Sequence, residues 1–119
     1  MRKTVFLLIL LGLASLSLAA QDAVQVDPQR YSVVFENDQV RVLRITYGPG
    51  EKSVMHHHPD AVAVFLTDQK VIFHLPDGKA DVVEAKAGNA IWTEAGSHLP
   101  ENLSDHKLEL ILVEMKKPL

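Results

Sequence analysis

Not one of the 119 residues is cysteine. That absence excludes a disulfide framework, a thiol nucleophile and the acylated N-terminus of a lipoprotein. A basic patch is missing as well: 12 lysines and arginines stand against 15 acidic residues, for a formal net charge of −3. Without a run of positive charge there is no electrostatic grip for phosphate backbones, so nucleic acid is not an expected partner. No internal repeat, low-complexity stretch or interdomain linker breaks the chain. No glycine-rich phosphate loop, paired-carboxylate signal or Ser/His/Asp arrangement stands out. The length allows one domain.

One long apolar run is present, and it lies at the start. Arg2 and Lys3 precede an apolar stretch from Val5 to Leu18, followed by the small-residue site Ser17-Leu18-Ala19-Ala20. Charge, length and flank predict a secretory signal over residues 1–20 and a mature domain over 21–119. The run falls short of the ~20 residues a membrane anchor needs, so no membrane association is expected after cleavage. The product is expected in a periplasm or the medium. Losing Arg2 and Lys3 leaves ten basic and fifteen acidic residues, a mature charge of −5 that favours solubility. A mature chain of about 100 residues holds only a small core, which makes a homodimer a reasonable expectation.

Strand signals recur at short intervals, and helix signals do not. Tyr31 to Glu36 is β-rich and ends at Asn37-Asp38; Val40 to Tyr47 sets Val40 and Val42 opposite Arg41 and stops at Gly48-Pro49-Gly50. A histidine strand follows, then the apolar stretch Ala61 to Leu66, and a turn over Thr67–Lys70 into Val71–Leu75. Pro76-Asp77-Gly78-Lys79 is a hairpin signal, with Asp-Gly suited to positive φ. Ala80–Ala85, Ala90–Thr93 and Leu108–Met115 complete the series, the last with Leu108, Leu110 and Leu112 on one face. Six to eight short strands with Gly or Pro turns predict an all-β sandwich or barrel.

The chemistry concentrates in His56-His57-His58 and Gly96-Ser97-His98. Side chains alternate along a strand, so His56 and His58 share a face and can grip one small object, with a third histidine completing the grip. Imidazole is the commonest neutral ligand of transition metals. The spacing suggests a metal pocket inside a barrel.

The chain from Pro49 to Asn102 resembles the cupin superfamily. Gly50, five residues, then His56-x-His58 is similar to its first motif. Gly88, five residues, Glu94-x-Gly96, one residue, His98, three residues and Asn102 is similar to the second. The strings Glu36–Val42 and Glu101–Asp105 resemble small bacterial cupins, some of which carry a β-alanine-degradation label. The resemblance implies a single-domain jelly-roll barrel of two antiparallel sheets. It also implies one divalent metal (Fe, Zn, Mn or Ni) held by His56, His58 and His98.

The departures from the family pattern carry chemical weight. The first motif ordinarily brings a glutamate ligand three or four residues past its second histidine, where this chain has Val62 and Ala63. The second ordinarily has proline where Glu94 stands, and two residues before its histidine. Three neutral histidines leave the full +2 charge of an ion at the site, which strengthens its hold on water or an anionic substrate. Such sites serve zinc and, by analogy within the family, ferrous iron in thiol and diketone dioxygenases.

Each residue also has a plainer reading. His56 and His58 could be stacked polar residues on an exposed strand, and His98 a loop histidine capping backbone groups. His57 is expected to point outward, and His106 to be a solvated turn residue. His74 is either a satisfied or solvent-facing histidine or a fourth donor near the pocket. Glu94 and Glu101 flank His98 as surface carboxylates or as groups orienting a ligand or water. Trp92 is expected in the core, and Val62, Val64 and Leu66 on the same inward face as the histidines. The expected function is an exported, metal-dependent enzyme of dioxygenase or isomerase type acting on a small organic metabolite. The alternatives are a non-catalytic binding or sensing module and a structural barrel that binds nothing.

Overall fold

A computed structural model describes residues 21–117. The expected leader, residues 1–20, lies outside the described residues. Nine strands follow one short helix: α1 Ala23–Val26, β1 Tyr31–Glu36, β2 Val40–Tyr47, β3 His56–His58, β4 Ala61–Phe65, β5 Gln69–His74, β6 Ala80–Ala85, β7 Ala90–Thr93, β8 Gly96–Asn102 and β9 Leu108–Met115. They form two sheets, β1-β2-β9-β4-β7 and β3-β8-β5-β6, in which every named strand pair is antiparallel. This is the expected jelly roll, with the core between the sheets.

The inner face of the five-stranded sheet supplies most of that core. Leu43, Ile45 and Tyr47 of β2, Ala61, Ala63 and Phe65 of β4, and Leu108 and Leu112 of β9 are all buried. Alternation on β9 matches expectation. On β4 it is the reverse of expectation: Val62 and Val64 are half-buried on the outer face and Leu66 is exposed. The reason is the Pro59-Asp60 connection, which carries the chain from the four-stranded to the five-stranded sheet. Parity counted through it from His58 does not survive the change of sheet.

The hairpin at Pro76–Lys79 forms as expected, with Leu75 N–H donating to the Lys79 carbonyl. Only Gly78 takes positive φ there, at 84°. Strand β8 was not foreseen, because Gly-Ser-His-Leu-Pro-Glu-Asn has neither β-branched nor aromatic residues to mark it. Partners on both sides make it a strand, with β3 and β5 flanking it.

The outer face of the larger sheet carries a continuous apolar row. Register places Phe35 beside Val42, Val42 beside Val113, Val113 beside Val62 and Val62 beside Trp92. Phe35 and Trp92, at its ends, are 54% and 56% exposed. Trp92, expected in the core, is therefore a surface residue: it sits opposite Val62 and shares its outward parity.

Candidate metal centre

The short strand β3 puts His56 and His58 on one face and His57 on the other. Antiparallel pairing with β8 sets His56 directly opposite His98. The three rings converge, with centroids 4.8 Å (His56–His58), 5.0 Å (His56–His98) and 5.4 Å (His58–His98) apart. One ring nitrogen from each lies within 4.8 Å of the others.

Hydrogen bonds choose the tautomers of the two β3 histidines. His56 Nδ1 lies 2.8 Å from the Val54 carbonyl oxygen, which can only accept, so Nδ1 carries the proton. Its Nε2 is buried and, among the described residues, has no hydrogen-bond partner. A buried nitrogen lone pair without a partner costs free energy unless something occupies it. His58 Nδ1 lies 2.6 Å from Glu114 Oε2 and donates to it, which again leaves Nε2 free. Phe73 stacks on His98 with ring centroids 4.8 Å apart, and Tyr31 packs edge-on against His56 at 4.8 Å.

Burial keeps two of the imidazoles, His56 and His98, neutral. Burial, then repulsion from His58, lowers the His56 pKa to about 4. Burial, then repulsion from His58 and His56, lowers that of His98 to about 3. At neutral pH both present lone pairs, as metal ligation requires. An orphaned Nε2, a three-imidazole donor set and the carboxylate behind His58 together fit a divalent cation.

A chain of charges stands behind His58. Glu114 accepts from Arg41 Nε at 2.7 Å, and Arg41 in turn binds Asp22, with Nη1 at 3.2 Å from Oδ2 and a second contact from Nη2 to Oδ1. Burial raises the Glu114 pKa, but hydrogen bonds from His58 and Arg41 outweigh it and hold the carboxyl below its ordinary range. The N-terminal segment reaches the site a second way. Ser53 Oγ donates to Asp27 Oδ2 at 2.6 Å and sits 3.5 Å from His56 Nδ1. His57 N–H donates to the Gln21 carbonyl at 2.7 Å, fixing β3 from behind.

Of these residues only Glu114 had a legible cue. Extending the Leu108, Leu110, Leu112 alternation by one step turns it inward, opposite Ala61, whose small side chain leaves it room. Asp22, Asp27 and Ser53 are brought in by tertiary packing and carry no local pattern.

The other candidates sit elsewhere. His74 and Glu101 are on the outward parity of β5 and β8 and pair with each other, Nε2 to Oε1 at 3.2 Å, so neither turns a donor toward the three histidines. Glu94 is exposed and stands at the cavity rim. His57 points away, and His106 is an exposed loop residue whose Nε2 meets the Asp68 carbonyl at 2.8 Å. Beside the histidines the barrel holds an open-mouthed cavity of about 320 Å³, walled by Ile45, Phe65, Val71, Phe73, Leu110 and Leu112 among others.

Neither a family profile nor a curated protein matches the chain. Solved structures do. A cupin domain from Bordetella pertussis Tohama I aligns with a TM-score of 0.68 at 25% identity, over 73% of this chain and 92% of that one. An RmlC-like cupin family protein with a double-stranded β-helix fold, from Methanocaldococcus jannaschii, aligns at 0.57 and 17% identity, over 71% and 77%. A cupin-2 domain-containing protein from Shewanella frigidimarina aligns at 0.50 and 15%, over 72% and 79%. Two sheets in this strand order, three inward histidines on β3 and β8, and these likenesses agree: the chain has the cupin fold and is similar to small single-domain cupins.

Proposed function

We propose that this protein is an exported, metal-dependent enzyme that acts on a small organic metabolite in the manner of a dioxygenase or isomerase. The observation that carries the reading is His56 Nε2, buried and without a partner among the described residues, on a histidine that converges with His58 and His98 beside the cavity. A divalent metal there (iron, zinc, manganese or nickel) supplies Lewis acidity toward a substrate oxygen or sulfur, or, as iron, electrons to dioxygen. The chain's residues do the rest. Glu114 and the Val54 carbonyl fix the histidine tautomers, Phe73 and Tyr31 hold the rings, and the apolar wall excludes water. The test is metal analysis of untagged protein, followed by oxygen uptake after iron restoration with thiols, diketones and amino acids. Stoichiometric metal and turnover of one class support the reading; absence of metal defeats it.

A second reading, a non-catalytic binding or sensing cupin, is favoured by one feature. The buried amides of Gln69 and Asn102 spend their N–H groups on backbone carbonyls rather than on the cavity. Tight ligand binding without turnover by any restored metal would select it.

Export rests on the basic, apolar and small-residue pattern of residues 1–20. Intact mass of protein from a Gram-negative host is expected to place the mature N-terminus at Ala20 or Gln21. An uncleaved Met1 product in the periplasm would overturn it.

We propose a second copy of this chain as the partner of the outer sheet face. The row from Phe35 to Trp92 carries an aromatic at each end, so a two-fold axis along the strands sets each against its opposite number. Charges around it are already paired within the chain, Arg44 with Glu109 and Lys116 with Glu36, leaving little to repel a copy.

A further inference from the structure

The cavity has a charge pattern that narrows its ligand. Among the described residues no lysine or arginine lines it, and the buried polar side chains in its wall, Gln69, Asn102, Tyr31 and Tyr47, are engaged by other groups of the protein. Gln69 Nε2 donates to the Glu109 carbonyl at 3.0 Å. Asn102 Nδ2 donates to the Gly48 and His106 carbonyls, while its Oδ1 accepts from Ser104. The Tyr31 and Tyr47 hydroxyls bond to each other. A ligand body therefore meets hydrocarbon, and any polar group along it would be buried without a partner.

The two ends of the cavity differ in sign. Behind His58 stand two carboxylates, Glu114 and Asp22, and one guanidinium, Arg41, a net charge of −1. Added to a divalent cation on three neutral histidines, this leaves about one positive charge, which one anionic group neutralises. At the rim the exposed Asp81 and Glu94 face the opening with nothing basic beside them in the lining. A second anionic group on the ligand would meet those carboxylates.

We propose that the pocket takes a monoanionic amphipathic small molecule, with one anionic oxygen head at the three histidines and an uncharged hydrocarbon body along the barrel. The proposal rests on the reading that His56, His58 and His98 hold a divalent metal. At ~30 Å³ per water-sized atom the cavity suits roughly ten non-hydrogen atoms, the size of a medium-chain or aromatic monocarboxylate. Dicarboxylates, polyols and phosphorylated metabolites are disfavoured, because their second polar end finds either an apolar wall or an acidic rim.

Untagged protein stripped and reloaded with cobalt(II) gives two readouts, the visible spectrum of the ion and calorimetric affinity. The probes are acetate, butyrate, hexanoate and octanoate, with suberate as the dianionic control. Each added methylene buried is worth about fourfold in affinity, so butyrate to octanoate is expected to tighten steadily while each acid perturbs the cobalt spectrum. Suberate is expected to bind no more tightly than acetate. Val83, on edge strand β6 and in the lining, offers the variant: Val83→Phe is expected to keep the cobalt spectrum and acetate affinity and to lose the octanoate preference at least tenfold. A flat chain-length series, suberate binding as tightly as octanoate, or an unaffected octanoate affinity in Val83→Phe would each overturn the proposal. Failure to bind cobalt would instead overturn the metal reading and the anionic head with it. In that case uptake of 1-octanol by the metal-free protein reports on the apolar body separately.

Discussion

Glu114 Oε2 sits 2.6 Å from His58 Nδ1, and Arg41 holds the other oxygen of the same carboxylate at 2.7 Å. The family pattern would place a carboxylate on the metal itself, near residues 62 and 63. Here the inward residues of β4 at that point, Ala61 and Ala63, are alanines, and the buried carboxylate of Glu114 stands on β9, against the Nδ1 of His58. Negative charge is thus kept near the three histidines without joining their converging donor set.

Glu114→Gln tests that role. The amide keeps the shape, removes the charge and leaves Arg41 half-paired. Metal affinity is expected to fall roughly 10- to 100-fold, the usual cost of losing a group that orients a ligand. Breaking a buried ion pair on one side also costs about 3 kcal/mol of stability. Competition with a chromophoric chelator reads the first effect and thermal melting the second. Unchanged metal affinity would reduce Glu114 to a packing role.

The ligand set makes a sharper expectation. His56→Ala, His58→Ala and His98→Ala should each abolish stoichiometric metal, whereas His57→Ala, His74→Ala and His106→Ala should retain it. Elemental analysis of the six purified variants decides this. Metal loss in His57→Ala equal to that in His56→Ala would contradict the β3 parity.

Restoring the missing ligand distinguishes the two faces of β4. Ala63 is buried and lines the cavity, while Val62 faces outward. Ala63→Glu should gain a larger metal-dependent rise in melting temperature than the unmodified protein, because a fourth donor compensates the cost of burying a carboxylate. Val62→Glu should show no such metal dependence. The reverse result would restore the parity expected from the sequence.

Acid should weaken the metal-free fold. His56 and His98 are held near pKa 4 and 3 in the fold, below the 6.5 of an unfolded chain. The unfolded state therefore binds more protons between those values, and stability falls as pH drops from about 6.5 toward 4. Glu114 and Asp22, whose folded pKa values are lowered, push the same way at lower pH. Chelator-treated protein melted across pH 4 to 7 should show the loss, and metal should delay it. A flat profile would mean the histidines are solvated.

The dimer is tested at the ends of the apolar row. Phe35→Glu with Trp92→Glu, both on exposed positions, should convert a dimer into a monomer by light scattering without lowering metal content. An oligomeric state unmoved by both changes would place the interface elsewhere.

Local pattern was enough for the strands whose hydrophobic alternation is unbroken and for the turn at Asp77-Gly78, because alternation and positive φ are properties of a few adjacent residues. The grouping of His56 with His58 was legible for the same reason, since period 2 operates within one strand. What alternation cannot reach is anything that depends on a change of sheet or on pairing. Pro59-Asp60 resets the parity of β4, so Ala63 rather than Val62 faces the cavity. Strand β8 exists because β3 and β5 flank a segment with no strand preference of its own, and that pairing alone sets His98 against His56. The line from Asp22 through Arg41 and Glu114 to His58 joins residues up to 92 positions apart. Only the closed barrel, in which burying a charge demands a partner, determines who those partners are.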